Sequence, residues 1–195
     1  MLKKHSLILA VLFAGISSSA FSQVRGENLL LKWGSWALLQ AIPSPVLFED
    51  RNDLNSTVTF GLEWQVIPFS YTFNENKYVS KLNFFYIKPV KRFSGSAEVF
   101  FEPSLITGTY KYSDLGKFSY KSGCRLVLPI AQGGEYFAIS MGAGYYLQNT
   151  KAGEPVEGVT YEAGLYSFFG MLGLKFNYNY KAHSRYNIGL YFKYY

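Results

Sequence analysis

Apolar and polar residues alternate along most of the chain from residue 57 onward. A period of two residues is typical of β-strands whose two faces meet different surroundings. The clearest case is Arg185–Tyr195, where the apolar positions are Tyr186, Ile188, Leu190, Phe192 and Tyr194. Polar, charged or small residues and further tyrosines occupy the positions between them. This segment therefore predicts a strand with one apolar face and one mixed face.

The same alternation predicts eight strands. They are Thr57–Tyr71, Tyr78–Val90, Gly95–Ile106, Lys117–Pro129, Glu135–Leu147, Gly158–Phe168, Met171–Tyr180 and Arg185–Tyr195. Each strand is near the roughly 9–11 residues that a tilted strand needs to cross a bilayer. Small or apolar residues occupy both faces of Glu135–Leu147, so the pattern leaves open which face of that strand points inward.

The connections between these strands fall into two groups. If the chain starts in the periplasm, the periplasmic turns are Lys91–Ser94, Ile130–Gly134 and Phe169–Gly170. The external loops are then Asn74–Lys77, Thr107–Gly116, Gln148–Glu157 and Lys181–Ser184. Two external loops are clearly longer, as is typical of bacterial barrels. Proline removes a hydrogen bond from a sheet, so Pro68, Pro89 and Pro103 predict bulges, shortened strands or a locally weakened wall.

The first 22 residues have the pattern of a secretory signal peptide. Lys3 and Lys4 precede the short apolar run Leu7–Ile16, and the small-residue pattern Ala20-Phe21-Ser22 predicts cleavage before Gln23. The apolar run is far shorter than the roughly 20 residues of a membrane-spanning helix. We therefore expect residues 1–22 to direct export and to be removed.

Aromatic residues are unusually frequent, at 19% of the chain with 17 Tyr and 17 Phe, and 18 glycines accompany them. With the alternating closing strand Arg185–Tyr195, this composition resembles the small eight-stranded β-barrels of bacterial outer membranes. The resemblance implies an all-β fold, an antiparallel transmembrane β-barrel over residues 57–195, in the outer membrane and as a monomer. It also implies contact with outer-membrane lipid and lipopolysaccharide, and recognition by the barrel-assembly machinery through the closing strand.

Residues 23–56, between the signal peptide and the predicted barrel, allow two interpretations. Asn28–Ala41 is apolar enough for an interfacial amphipathic helix with Trp33 and Trp36 at headgroup depth, although its helical stripe is broken and Gly34 weakens a helix. A strand is equally compatible with the pattern. An even strand count would then need a further strand, such as Pro45–Glu49, and would give ten strands. We favour eight strands preceded by a short N-terminal periplasmic or interfacial element.

Charged residues recur on the faces predicted to point into the barrel. They are Glu63, Lys81, Glu98, Glu102, Lys121, Arg125, Glu162, Lys175 and Lys193. Their signs alternate between neighbouring strands through the first four strands, and unpaired charges in a narrow lumen are costly. We expect Glu63 to pair with Lys81, and Glu98 or Glu102 with Lys121 or Arg125. An eight-stranded interior is just wide enough for side chains to fill, so this pattern favours a filled, salt-bridged lumen over a conduit or a buried acid–base site.

Catalytic candidates are few. His183 and Ser184 lie in the last predicted external loop, and Ser113 and Asp114 lie in Thr107–Gly116. Adjacent residues of an extended chain point apart, so His183 and Ser184 alone make a poor nucleophile–base pair. The layout is similar to the lipid A palmitoyltransferases, where wall prolines admit an acyl chain, but no family motif is matched residue by residue. The His-x-Ser pattern associated with lipid A deacylases is absent.

Other function classes find little support in the composition. Cys124 is the only cysteine, and no metal-ligand spacing or phosphate-binding loop is present, so no cofactor and no metal site are predicted. The pI is near 9.2, but basic and acidic residues are interspersed, which argues against nucleic acid. We expect a structural or interaction protein rather than an enzyme. The alternatives are a lipid A-modifying acyltransferase or deacylase and, less favoured, a narrow conduit.

Overall fold

The computed structural model describes residues 34, 37–38, 41–52, 55–73, 81–84, 95–107, 115–131, 137–168 and 172–192. The chain divides into two compact units, Met1–Leu38 and Leu39–Tyr195. In the first unit, Gly34, Ala37 and Leu38 have helical backbone and are exposed. The expected signal peptide lies outside the described residues.

The second unit is built from ten β-strands. They are β1 Ser44–Asn52, β2 Asn55–Glu63, β3 Val66–Thr72, β4 Leu82–Phe84, β5 Ser96–Ile106, β6 Leu115–Ala131, β7 Phe137–Thr150, β8 Val156–Ser167, β9 Leu172–Asn179 and β10 Tyr186–Phe192. Neighbouring strands run antiparallel throughout. Among the described residues, no helix has the length and apolar character needed to cross a membrane.

Eight of these strands close into an antiparallel barrel in the order β2-β1-β10-β9-β8-β7-β6-β5. The ring is completed where β2 pairs with β5, at Gly61↔Ile106 and Glu63↔Ser104. The other two strands lie outside this ring, because β3 continues along β5 beyond β2, and β4 pairs only with β3 among the described strands. Closure removes the exposed sheet edges that an open sheet would leave unpaired.

The predicted number of strands is confirmed, but one predicted member of the ring was wrong. Tyr78–Val90 supplies only the short outer strand β4 among its described residues, and Ser44–Asn52 takes a place in the wall instead. Val46 and Phe48 point inward and are 1% exposed, while Leu47 points outward. β1 contains Pro45–Glu49, which the sequence analysis considered as a strand only in the ten-strand alternative.

The two ends of the barrel differ in which connections they carry. One end, called the loop end below, joins β1 to β2, β5 to β6, β7 to β8, and β9 to β10. The predicted loop Asn74–Lys77 lies outside the described residues. The strand before it, β3, ends at Thr72, which pairs with Ser96 at the start of β5.

The irregular pairing predicted at Pro68 is confirmed, because the register between β3 and β5 shifts between Val66 and Phe69. A further shift, which the sequence analysis did not predict, lies between β6 and β7 after Pro129. Pro103 stays within β5, where its carbonyl accepts a hydrogen bond from the Trp64 backbone amide at 2.9 Å. Pro89 lies outside the described residues.

Side chains alternate between the inside and the outside of the wall along most of its strands. In β5 the buried Glu98, Phe100 and Glu102 alternate with outward residues such as Phe101, as the sequence predicted. The open question about Glu135–Leu147 is also settled, since Ala138, Ser140 and Tyr146 of β7 are buried while Met141 is 65% exposed. The wall therefore has a polar inner face and an apolar outer face.

Glycines in β6 and β7 leave space for the largest inward side chains. Gly123 pairs with Gly144, and a Cβ added to Gly123 would overlap the Ala143 carbonyl and lie 2.9 Å from Phe100 Cζ. A Cβ on Gly142 would lie 2.9 Å from the Cβ of Arg125. The absence of side chains here allows Phe100 and Arg125 to occupy the narrow interior.

Replacing Gly123 by valine is expected to destabilise the barrel by about 1–3 kcal/mol, because the added methyl groups overpack a closed lumen. Urea unfolding of the refolded protein, followed by circular dichroism, measures this loss. Ala143→Val is the matched control, since Ala143 is exposed on the outer face of the neighbouring strand. Equal stabilities for the two variants would contradict the close packing at Gly123.

Candidate functional site: a buried charge cluster

Seven charged side chains meet inside the barrel, and each is at most 4% exposed. They come from β2, β5, β6, β8 and β9 and are called the charge cluster: Glu63, Glu98, Glu102, Lys121, Arg125, Glu162 and Lys175. Each lies on an inward position of its strand, because strand alternation sends every second side chain to the lumen. The same two-residue periodicity that forms the wall therefore directs the side chains of the charge cluster into the lumen.

Two lysines bind the same two carboxylates. Lys175 Nζ lies 2.6 Å from Glu63 Oε1 and 2.6 Å from Glu102 Oε2. Lys121 Nζ lies 2.7 Å from Glu63 Oε2 and 3.4 Å from Glu102 Oε2. Ser104 Oγ also donates to Glu63 Oε2, at 3.4 Å. The lysine on β9 therefore reaches across the lumen to carboxylates on β2 and β5.

Arg125 organises the other half of the cluster. Its NH1 and NH2 groups donate to Glu162 Oε1 at 2.8 Å and to Glu102 Oε1 at 3.0 Å, and its Nε lies 3.4 Å from Glu98 Oε2. The guanidinium also stacks on Phe100, with 4.8 Å between its Cζ atom and the ring centroid. Glu102 contacts Arg125 and both lysines, so it joins the two halves into one network.

The electrostatics of the cluster require this dense pairing. Moving an ion from water to a protein interior costs several kcal/mol, which only close partners of opposite charge and further hydrogen bonds offset. Four carboxylates share three cations here, so nearly every charged group has more than one contact. Removing one partner from such a network is therefore strongly destabilising, because it leaves an uncompensated buried charge.

Apolar side chains lie on both sides of the charge cluster along the barrel axis. Toward the loop end is the group Val46, Phe48, Ile106 and Leu115. Toward the opposite end is the group Val127, Ala138, Tyr166 and Tyr191. Tyr166 packs edge-on against Tyr191, with ring centroids 5.0 Å apart, and its hydroxyl lies 3.1 Å from Ser140 Oγ. Within the described part of the chain, the charges therefore sit between apolar layers.

Two of the nine predicted lumen charges are not in this cluster. Lys81 is exposed just before β4, because that strand lies outside the closed ring, and Lys193 lies outside the described residues. Glu63 was expected to pair with Lys81 but instead contacts Lys121 and Lys175. The sequence did not predict the contacts of Lys175 across the lumen. The alternation of charge between neighbouring strands carries no information on residues that face each other across the barrel.

The catalytic candidates do not form a reactive pair in the described residues. Ser184 is fully buried, and its hydroxyl donates to Asn187 Oδ1 at 2.6 Å. Its carbonyl accepts a hydrogen bond from Asn179 Nδ2 at 2.9 Å, while the neighbouring His183 is half-buried. Ser113 and Asp114 lie outside the described residues. The structure thus gives Ser184 a role in holding the β9–β10 connection against the barrel.

Comparisons with protein-family models, with curated proteins and with solved structures give no match for this chain. In the described part of the chain, no group of three or more His, Cys, Asp or Glu side chains is placed to hold a metal ion. The function must therefore be inferred from the barrel, its interior and its outer surface.

Replacing Lys175 by methionine is expected to lower the free energy of unfolding by about 3–5 kcal/mol, because Glu63 and Glu102 lose a shared buried cation. Urea unfolding measures the change, and adding Glu63→Gln to the same chain should recover part of it. Lys117→Met is the control, since Lys117 is exposed on β6. If Lys175→Met and Lys117→Met were equally stable, the cluster would not hold the barrel together.

Proposed function

We propose that this protein is an exported β-barrel of the bacterial outer membrane with a structural or interaction role at the cell surface. The observation that carries this proposal is the inverted distribution of polarity in the closed barrel. The seven residues of the charge cluster are buried inside the barrel, while large apolar side chains cover most of the outside of the wall. A barrel in water would be stabilised by the opposite arrangement, whereas a bilayer favours an apolar outer face.

The outer surface of the wall is predominantly apolar. Its exposed aliphatic side chains include Leu126, Met141, Leu165, Leu174 and Leu190, and its exposed aromatic side chains include Phe101, Phe118, Tyr161, Phe176 and Tyr186. An apolar outer face that is rich in aromatic residues is typical of outer-membrane barrels. This arrangement supports contact with outer-membrane lipid and lipopolysaccharide.

The filled interior favours a structural or interaction role over transport. The ion pairs and the two apolar groups occupy the lumen of the described strands, which opposes a conduit for water or solutes. The segments at the loop end, including the exposed residues 151–155, are the surface that a partner would meet. Insertion by the barrel-assembly machinery through the closing strand, and a monomeric state, belong to the same proposal.

A lipid A-modifying activity receives no support from the described candidates. The hydroxyl of Ser184 is engaged by Asn187 within a buried hydrogen-bond network, so it is not positioned as a free nucleophile beside His183. The wall irregularity at Pro68 is explained by its missing amide hydrogen and needs no acyl-chain entry. The interaction role is therefore the better supported function.

Membrane insertion can be tested with the native cysteine. Cys124 is exposed on the outer face near the middle of β6, where a bilayer would cover it. In intact outer membranes, we expect an apolar maleimide to label it and a charged, water-soluble maleimide to leave it unmodified. The control is Cys124→Ser with Ala152→Cys, because Ala152 is exposed at the loop end and should react with the charged reagent. Efficient labelling of Cys124 by the charged reagent would contradict insertion.

The non-enzymatic role is tested by mass spectrometry of lipid A from cells with and without the protein. We expect identical acyl-chain compositions, because the described residues form no reactive pair. A gained or lost acyl chain that His183→Ala abolished would overturn the interaction role and establish a lipid-modifying enzyme.

A further inference from the structure

A second polar region lies between the charge cluster and the loop end, and it differs from the cluster in having few internal contacts. Its members, called the oxygen patch, are at most 3% exposed: Asp50, Thr59, Thr160, Asn177 and Asn179. The atoms without a hydrogen-bond partner in the described structure are Asp50 Oδ2, Thr59 Oγ1, Thr160 Oγ1, Asn177 Oδ1, Asn177 Nδ2 and Asn179 Oδ1. Five of these six atoms are oxygens.

Strand register places the members of the patch along one arc of the lumen wall, from β2 through β1, β10 and β9 to β8. Thr160 pairs directly with Asn179, and Asn177 pairs with Asn187, so β8, β9 and β10 present these side chains side by side. Inward side chains at paired positions have Cβ atoms about 4.5–5.5 Å apart. On the other side of β10, Asn187 pairs with Phe48, which pairs with Thr59. Asp50 is two residues beyond Phe48 and therefore faces the same lumen.

The β9–β10 connection shields this patch from bulk water. Ala182 is 7% exposed and Ser184 is fully buried, so this connection folds into the loop end. Tyr146 Oη donates to the Tyr180 carbonyl at 2.9 Å and ties the connection to β7. Each buried polar atom without a partner costs about 1–3 kcal/mol, and native proteins retain few of them. Six such atoms along one arc of the lumen indicate a bound partner.

The charge balance of the lumen indicates that the bound partner carries a positive charge. Among the described residues, five carboxylates are buried, namely Asp50 and the four of the charge cluster, against three buried cations. The cations are all committed to the cluster carboxylates, so Asp50 contributes negative charge close to unpartnered amide and hydroxyl oxygens. Carboxylate, amide and hydroxyl oxygens are ligands for hard cations, and they repel anions.

We propose that the oxygen patch binds a small monovalent inorganic cation, Na⁺ or K⁺, inside the barrel. Asp50 supplies the one carboxylate, and Asn177, Asn179 and Thr160 supply neutral oxygens. Thr59 is not included among the ligands, because the buried Phe48 lies between it and Asn187 in the strand register. A divalent ion fits this set less well, because Ca²⁺ sites gather several carboxylates and Mg²⁺ requires strict octahedral geometry. The amide nitrogen of Asn177 would donate a hydrogen bond to a water molecule that coordinates the ion.

The thermal unfolding midpoint of the refolded protein tests this proposal. NaCl or KCl should raise it by about 2–4 °C over tetramethylammonium chloride of equal ionic strength, because the bulky cation cannot enter the patch. Asp50→Asn should abolish the difference. The matched control is Glu49→Gln, which removes the same charge from the adjacent, outward position of β1 and should keep the difference.

Anomalous diffraction from Rb⁺-soaked crystals of the unmodified protein locates the ion without any variant. The expected result is a peak among the side chains of Asp50, Asn177 and Asn179. The proposal is overturned if this region shows no anomalous peak, or if the salts give the same unfolding midpoint. The first result would mean that water alone occupies the patch.

Discussion

The ion pairs of Glu102 hold the interior of this barrel together. One carboxylate contacts Arg125, Lys121 and Lys175, so it connects strands on different sides of the lumen. Buried charges tolerate few alternative arrangements, because a strand displaced by one residue would turn its charge out of the lumen and leave the opposing charges without partners. The pairing therefore selects one register among those that an alternating sequence allows.

The glycines of the wall provide the space that this network requires. Gly123 and Gly142 face the lumen beside Phe100 and Arg125, and any side chain at these glycines would compete with them for volume. The large inward side chains of Phe100 and Arg125 therefore lie beside glycines on adjacent strands. The outer face has no such restriction, and it carries the large aliphatic and aromatic residues. The same alternation consequently produces a charged interior and a surface suited to lipid.

A filled, ion-paired lumen also bears on what the protein can do. The charge cluster lies between apolar groups that include Phe48 toward the loop end and Tyr191 toward the other, so the described interior serves cohesion rather than passage. The buried hydroxyl of Ser184 stabilises a connection rather than acting beside His183. In the proposed function, partners would contact the loop end, and the oxygen patch beneath it would be a separate site for the proposed cation.

The sequence by itself determined the all-β class, the eight-strand count and the facing of strands such as β5, because alternation is a local property of consecutive residues. It also identified most of the charges that share the lumen. Only the tertiary structure decided that Ser44–Asn52 replaces Tyr78–Val90 in the ring, since β1 is placed by its pairing with β10 near the other end of the chain. The partners of Lys175 were likewise decided in three dimensions, because contacts across the lumen depend on the barrel's diameter and strand order, which no local pattern contains.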